Sequence, residues 1–162
     1  MCDKKRKVSL IGIGTGGVKE MTERAKEEIL ASDCLIGASR MLESAACFLE
    51  QKKDIKWRDM LSEYRWDFIF SYVKEHEECS RTAVLFSGDI GFYSGAKKLY
   101  DAIERTEGLE QMEIYPVSGI SSVVYFCGKL GVSWEDVHLL SLHGRKQNLI
   151  DAVKYHEKVF VL

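Results

Sequence analysis

The sequence predicts an α/β fold with a mainly parallel sheet, because short apolar runs alternate with amphipathic helical stretches along its 162 residues. A loop of small residues follows most of the apolar runs, as in strand–helix–strand units. The candidate strands are residues 7–13, 33–37, 82–87, 112–117, 137–142 and 158–162.

Three stretches between the candidate strands carry apolar residues at helical spacing, and they are predicted to be helices. The first, residues 22–32, places Ala25, Ile29 and Leu30 on one face. Residues 64–76 do the same with Trp66, Ile69, Phe70 and Val73, and residues 94–108 with Ala96, Leu99, Tyr100 and Ile103.

The only proline, Pro116, stands where the pattern pauses, and we place a domain boundary there. Residues 1–116 are predicted to form an N-terminal α/β domain with four strands, and residues 117–162 to begin a second α/β domain. The chain ends on the strand-like run KVFVL, whereas a parallel strand needs a connection and neighbours. We therefore expect an incomplete second domain in a chain truncated at its C-terminus.

The composition indicates a globular protein, since 46% of the residues are hydrophobic and 30% are charged. The net charge of −2 provides no basic field, so we expect neither nucleic acid nor a membrane as partner. The five cysteines are scattered, which favours reduced thiols and a cytoplasmic location. Because the four histidines lack the spacing of metal ligands, no metal is expected.

Residues 8–17, VSLIGIGTGG, satisfy the G-x-G-x-x-G fingerprint of dinucleotide-binding proteins. In those proteins the helix opens at the glycine loop. Here Thr22 is the natural N-cap, so the helix is predicted to begin after it. Asp33 precedes its strand, whereas the acidic residue of the fingerprint follows one. An NAD-type oxidoreductase fragment is therefore the alternative, and the start of the helix tests it.

Five loops of small residues follow the C-terminal ends of candidate strands, the edge where open α/β sheets bind ligands. Glycine lets a ligand approach the backbone, and serine offers short hydrogen-bonding side chains. No loop carries the G-K-[ST] sequence of ATP- and GTP-binding loops. In chain order the five loops are GIGTGG, IGASR, SGDIGFYSG, SGISS and SLHGR.

The third loop, residues 87–95, carries a single carboxylate, Asp89, shortly before Phe92 and Tyr93. One interpretation is an aspartate whose side chain initiates a turn. The other is the edge of a pocket that offers a carboxylate to a cationic or polar ligand and an aromatic surface to a ring. The residues alone leave both interpretations open.

The same loop, SGDIGFYSG, resembles the S-G-D-P-G-F-Y-G loop of the tetrapyrrole (corrin/porphyrin) methylases. Residues 115–145 are similar to one branch of that family, the carbon-5 methyltransferases of cobalamin biosynthesis, which act on precorrin-6Y or cobalt-precorrin-7. The ending SLHGR is specific to that branch. Thr15 and Ile90 stand where the family loops carry proline. The likeness extends over essentially the whole chain.

The resemblance implies a two-domain tetrapyrrole methylase fold that holds S-adenosylmethionine between its domains. Methyl transfer from a sulfonium is an in-line displacement with an activated donor, so the protein mainly aligns donor and acceptor. No nucleophilic side chain is required, and we assign no catalytic residue. Carried over by position, the cofactor contacts are Thr15, Ser87, Gly88, Asp89, Phe92, Ser121, Ser122, Leu142, His143 and Gly144.

The acceptor implied by the resemblance is a corrinoid (precorrin) macrocycle with many carboxylates, so arginines are expected beside it. Arg145 in SLHGR and Arg40 in IGASR are the candidates. We also expect a homodimer. A third interpretation is a ligand-binding module without enzymatic activity.

Overall fold

The computed structural model describes residues 5–49, 59–107, 109, 112–142 and 147–162. The chain divides into two compact units, Met1–Ile120 and Ser121–Leu162. Each unit combines helices with parallel strands, which confirms the α/β class predicted from the sequence.

The first unit is built on five parallel strands in the order β3-β2-β4-β1-β5. Its central strands are continuous apolar runs, as expected for a parallel sheet that is covered on both faces. Pro116 lies inside the edge strand β5, where a residue without an N–H is tolerated. The strands are β1 (Lys7–Gly12), β2 (Cys34–Gly37), β3 (Asp59–Ser62), β4 (Arg81–Phe86) and β5 (Glu113–Val117).

Helices cover both faces of this sheet, because alternate residues of each buried strand point to opposite sides. On one side Ile11 of β1 belongs to the same core cluster as Ile29 of α1. On the other side Leu10 of β1 belongs to a second cluster with Ile69 of α3. In the described part of the unit the helices are α1 (Glu23–Leu30), α2 (Ser39–Leu49), α3 (Trp66–Glu75) and α4 (Ala96–Glu104).

Glu28 of α1 is a buried carboxylate at the amino end of β1. Its oxygens accept hydrogen bonds from Lys7 Nζ at 3.0 Å and from Ser9 Oγ at 2.9 Å. The guanidinium groups of Arg24 and Arg81 lie 3.3 and 3.5 Å from the same carboxylate. Three cations therefore surround one buried anion, and the two that lie on strands, Lys7 and Arg81, tie α1 to the sheet.

The second unit contains two parallel strands that pair with each other. Its first helix is followed by Gly131, which adopts a left-handed conformation with φ of 66°, as is common for glycine after a helix. The elements are α5 (Ser122–Leu130), a 3₁₀ turn (Trp134–Asp136), β6 (His138–Leu140), α6 (Leu149–Tyr155) and β7 (Val159–Val161).

Two elements of the first unit are absent from the sequence prediction, which counted four strands. The strand that the prediction lacked is β3. It is an edge strand whose residues are mostly exposed, so it has no apolar alternation by which a strand is recognised. The helix α2 begins inside the motif IGASR, at Ser39, and was not predicted. Both elements matter because they border the edge of the sheet that carries the candidate site.

A disulfide joins Cys34 to Cys79, so the expectation of reduced thiols is wrong for this pair. Cys34 begins β2, and Cys79 lies in the turn before β4, the strand beside β2. The two residues are 45 positions apart, and only the order of strands brings them together. Among the described residues Cys47 and Cys127 are free cysteines.

The described helices are short. None of them combines the length and the apolar character that a membrane crossing requires.

Candidate functional site

The loops that follow β1 and β4 are fastened to each other by their main chains. The Gly14 N–H donates to the Gly88 carbonyl over 3.1 Å, and the Gly88 N–H donates to the Gly14 carbonyl over 2.7 Å. Both glycines have positive φ angles, 71° and 68°, which a residue with a side chain rarely adopts. The paired loops lie at the carboxyl edge of the sheet, as the sequence predicted.

The loop after β5 meets the same two loops at a point with no room for a side chain. A Cβ atom on Gly119 would lie 2.2 Å from the Gly88 carbonyl oxygen and 2.4 Å from that of Gly12. A Cβ atom on Gly12 would lie 2.6 Å from the Gly88 oxygen. Since the opposing atoms are backbone, only glycine fits at either position. We refer to Gly12, Gly14, Gly88 and Gly119 as the glycine junction.

The Asp89 side chain spans this junction. Its Oδ1 atom accepts the Gly91 N–H at 2.8 Å, which forms the local turn expected of an aspartate in this sequence. Its Oδ2 atom accepts the Gly119 N–H at 3.1 Å, which reaches across to the loop after β5. A carboxylate has about four acceptor positions, so both oxygens keep capacity for a further donor. Asp89 is half-buried and can serve the turn and a ligand together.

Arg40 connects the loop after β2 with the loop after β4. It is the second residue of α2, and its Nη2 atom donates to Ser87 Oγ at 3.3 Å. Ser87 itself is exposed, one residue before Gly88. Arg40, Ser87 and the glycine junction therefore form one continuous edge within the first unit.

The remaining described candidates of the first unit lie on the same loops. Thr15 is exposed and directly follows Gly14. Phe92 is half-buried, and its ring contacts the Tyr93 ring edge-on at a centroid distance of 4.9 Å. Tyr93 has a positive φ of 49°, which is uncommon for a residue with a side chain.

In the second unit, Ser121 and Ser122 lie at the start of α5. Ser121 occupies the N-cap position, and its Oγ atom is buried without a hydrogen-bond partner among the described residues. Leu142 follows β6, is exposed, and donates its N–H to the Leu162 carbonyl at 2.9 Å. His143, Gly144 and Arg145 lie outside the described residues. The structure describes each unit by itself, so the assignment of both sets to one ligand stays a prediction.

The dinucleotide-binding alternative is not favoured by the geometry of the first loop. The helix α1 begins at Glu23, and Thr22 caps it by accepting the Ala25 N–H at 3.2 Å, as predicted. Gly17 therefore lies outside the helix. Asp33 precedes β2, and its Oδ2 accepts the Arg81 N–H at 3.0 Å. This contact lies at the amino ends of β2 and β4, away from the candidate site. Neither feature of the NAD fingerprint is in place.

The loops could be found from the sequence, but the packing of their glycines against one another and the contact between Ser39 and Ser62 could not. Gly12 and Gly119 were visible only as members of small-residue loops, and their close approach depends on the strand order. Ser39 Oγ and Ser62 Oγ lie 2.8 Å apart, a contact that requires the unpredicted strand β3. Among the described residues, no group of three histidine, cysteine or acidic side chains is placed to hold a metal.

Fold and candidate site together define an open α/β protein whose loops converge at the carboxyl ends of a parallel sheet. The chain belongs to the family of tetrapyrrole (corrin/porphyrin) methylases, whose family model matches residues 7–161. The resemblance given by the loop SGDIGFYSG and by residues 115–145 is therefore confirmed.

Two curated relatives are similar over most of the chain. One is the probable cobalt-precorrin-7 C(5)-methyltransferase of Methanocaldococcus jannaschii, 31% identical over 96% of this chain and 70% of its own length. The other is the cobalt-precorrin-7 C(5)-methyltransferase of Salmonella typhimurium, 30% identical over 85% of this chain and 62% of its own length. The chain thus spans about two thirds of the length of these relatives.

Solved structures share the fold. The precorrin-6Y methylase of Archaeoglobus fulgidus superposes with a TM-score of 0.63 at 26% identity, covering 98% of this chain and 73% of that one. A uroporphyrin-III C-methyltransferase of Thermus thermophilus, crystallised with S-adenosylhomocysteine, gives a TM-score of 0.68. At 14% identity, with 96% of this chain and 69% of that one covered, the second likeness concerns the fold alone.

Proposed function

We propose that this chain acts as an S-adenosylmethionine-dependent methyltransferase of cobalamin biosynthesis, with carbon 5 of precorrin-6Y or cobalt-precorrin-7 as the methyl acceptor. The observation that carries the proposal is the match, over 96% of the chain, to a relative named for the carbon-5 reaction. The ending SLHGR is typical of the carbon-5 branch of the family, and it supports carbon 5 of the acceptor as the position that is methylated.

The residues at the edge of the first unit fit S-adenosylmethionine. This ligand has ribose hydroxyls, a purine ring and a positively charged sulfonium. The glycine junction packs the main chains of three loops against one another and so holds the neighbouring Ser87 and Asp89 in fixed positions. Ser87 supplies an exposed hydroxyl, and Asp89 supplies a carboxylate with remaining acceptor capacity. The Thermus thermophilus methyltransferase that shares the fold was crystallised with S-adenosylhomocysteine, which supports the choice of this ligand class but not of particular residues.

When bound, S-adenosylmethionine supplies an activated methyl group on a sulfonium. The chain's own residues contribute position and charge. Asp89 favours a cationic ligand through its carboxylate, and its hydrogen bond to Gly119 holds that carboxylate in place. The glycine junction fixes three loops relative to one another, so little reorganisation is needed when a ligand arrives. No side chain has to act as a nucleophile.

The other contacts complete the proposed site. Thr15, Gly88 and Phe92 of the first unit and Ser121, Ser122, Leu142, His143 and Gly144 of the second are proposed to contact the cofactor. Arg40 and Arg145 are proposed to bind carboxylates of the corrinoid acceptor. We also propose a cytoplasmic homodimer. The disulfide is uncommon for a reducing cytoplasm, so its state in the cell bears directly on that location.

Calorimetric titration with S-adenosylhomocysteine tests the proposal. One binding site per chain is expected. Absence of heat at high protein concentration would contradict the cofactor assignment. Methyl transfer to a cobalt-corrinoid acceptor is the second readout, and normal cofactor binding without transfer would favour the ligand-binding module instead of the enzyme.

A further inference from the structure

An open depression of about 620 Å³ lies at the carboxyl ends of β2 and β3, wholly within the first unit. It borders the proposed cofactor edge, because Arg40 lines it and also donates to Ser87. Its polar and charged lining is Ser39, Arg40, Ser62, Glu63, Tyr64 and Arg65. Two of these six side chains are permanent cations.

The acidic member of the lining is already committed to local partners. Glu63 accepts the Tyr64 N–H at 2.8 Å, the Arg65 N–H at 2.9 Å and the Arg65 guanidinium at 3.1 Å. The hydrogen bonds from the Arg65 side chain and from these two N–H groups lower the pKa of Glu63 to about 2. Glu63 therefore stays ionised and neutralises one arginine, which leaves the depression with a net positive charge.

Both arginines are held in place and remain accessible. The Arg65 guanidinium carbon lies 3.6 Å from the centroid of the Phe68 ring, a cation–π contact, and its side chain is half-exposed. Arg40 has no ionic partner among the described residues, and its Nη2 hydrogen bond goes to the neutral Ser87. A guanidinium without a carboxylate partner keeps its preference for binding one in the bidentate manner.

A pair of hydroxyls and a helix start add to these charges, and one hydroxyl proton remains for a ligand because the other joins the pair. Ser39 Oγ and Ser62 Oγ lie 2.8 Å apart and bridge the ends of β2 and β3. Ser39 is the first residue of the 11-residue helix α2, whose first turn contains no acidic residue. The positive end of the helix dipole therefore adds to the field of the two arginines.

We propose that this depression, through Arg40, Arg65 and the hydroxyls of Ser39 and Ser62, binds a carboxylate side arm of the macrocyclic acceptor. The inference rests on the proposed function, because the methyl acceptor must lie beside the cofactor edge that Arg40 touches. The exposed ring of Tyr64 offers the macrocycle a flat apolar surface next to the carboxylate site. Arg65 is the residue that this inference adds, as a specificity-determining group for the acceptor.

The test compares the Arg65→Gln variant with Arg105→Gln, an exposed arginine after α4 at the opposite edge of the sheet. Three probes are titrated: a corrinoid with free carboxylates, the same corrinoid with all carboxylates esterified, and S-adenosylhomocysteine. Arg65→Gln should weaken binding of the free carboxylate form about tenfold, as for loss of one charge-assisted hydrogen bond. Binding of the ester and of S-adenosylhomocysteine should not change, and Arg105→Gln should behave as wild type.

Equal affinity of wild type and Arg65→Gln for the carboxylate corrinoid would overturn the inference. Equal weakening for acid and ester would also overturn it, because Arg65 would then support the fold and not a carboxylate. If citrate binds as tightly as the corrinoid, the depression is a general anion site, and its assignment to the acceptor is overturned. If wild type fails to bind S-adenosylhomocysteine but Arg65 still governs corrinoid binding, the proposed function fails while the carboxylate site stands.

Discussion

Asp89 and Gly119 are joined by a hydrogen bond of 3.1 Å that links the loop after β4 to the loop after β5, across 30 positions of sequence. The same carboxylate closes its own turn through Gly91. Asp89 therefore forms the turn of the first interpretation and also links two loops. The second interpretation, the edge of a ligand pocket, stays a prediction that a substitution can test.

The Asp89→Ala variant should lose cofactor affinity while the chain stays folded. Loss of a charge-assisted contact is worth about 1–3 kcal/mol, and calorimetry with S-adenosylhomocysteine measures it. Asp101→Ala, in an exposed pair with Lys97, is the matched control and should bind as wild type. If Asp89→Ala melts at a much lower temperature with unchanged affinity, Asp89 acts as a turn residue only.

The Gly119→Ala variant should be destabilised and should bind the cofactor poorly. Its Cβ atom would lie 2.2 Å from a main-chain oxygen, so one loop must move, at a cost of roughly 1–3 kcal/mol in the free energy of unfolding. Gly128→Ala in α5 is the control, because its Cβ atom meets nothing within 4 Å. That variant should gain up to about 1 kcal/mol from helix propensity. Urea unfolding measures the free energy of unfolding of both variants. Equal values would contradict the close packing of Gly119 against the other loops.

Acid should destabilise the first unit through Glu28. Burial raises the pKa of Glu28, but the hydrogen bonds from Lys7 and Ser9 outweigh it, and the pKa lies below its usual value of 4.5. A carboxyl group with a lowered pKa stabilises the fold above the pKa of the unfolded chain. This contribution is lost as the pH falls below about 4.5 and through the folded-state pKa.

The Glu28→Gln variant should therefore be less stable at pH 7 by roughly 1–3 kcal/mol, since it removes the charge that Lys7, Arg24 and Arg81 share. Its stability should also depend less on pH in the acid range. Glu27→Gln on the exposed side of the same helix should change the free energy of unfolding by less than about 1 kcal/mol. Unfolding curves recorded between pH 3 and pH 7 distinguish the two, and parallel curves for wild type and Glu28→Gln would refute the assignment.

Replacing Cys34 and Cys79 together by alanine should lower the free energy of unfolding by roughly 2–4 kcal/mol, because the bridge closes a long loop of the unfolded chain. Dithiothreitol should lower the melting temperature of wild type and leave that of the double variant unchanged. Peptide mapping without reduction identifies the bond itself. Two free thiols in protein taken directly from cells would agree with the proposed cytoplasmic location. They would also show that the protein in the cell lacks the disulfide.

The apolar parts of the fold were predictable from the sequence. The strands β1, β2 and β4 are buried runs, and α1, α3 and α4 carry helical periodicity, so each leaves a clear pattern. Thr22 could be placed as a cap because its hydroxyl has a local partner, Ala25. In contrast, β3 is held by its neighbour β2 and not by burial of its own residues, and no periodic signal marks it.

Contacts between loops were not predictable, because they follow from the order of the strands. Arg40 was a candidate from its motif, but its hydrogen bond to Ser87 requires β2 and β4 to be adjacent. Arg65 was not a candidate, since its position beside the site depends on β3. The disulfide has the same origin. Sequence proximity could not indicate any of these pairs.

The glycine junction couples the hydrogen exchange of one loop to that of another. The amide protons of Ile13, Gly14 and Gly88 are all donated between the loop after β1 and the β4 region. Opening one loop therefore breaks bonds that protect the other, so these amides should exchange with deuterium as one cooperative group. A ligand that touches a single loop should slow exchange in both.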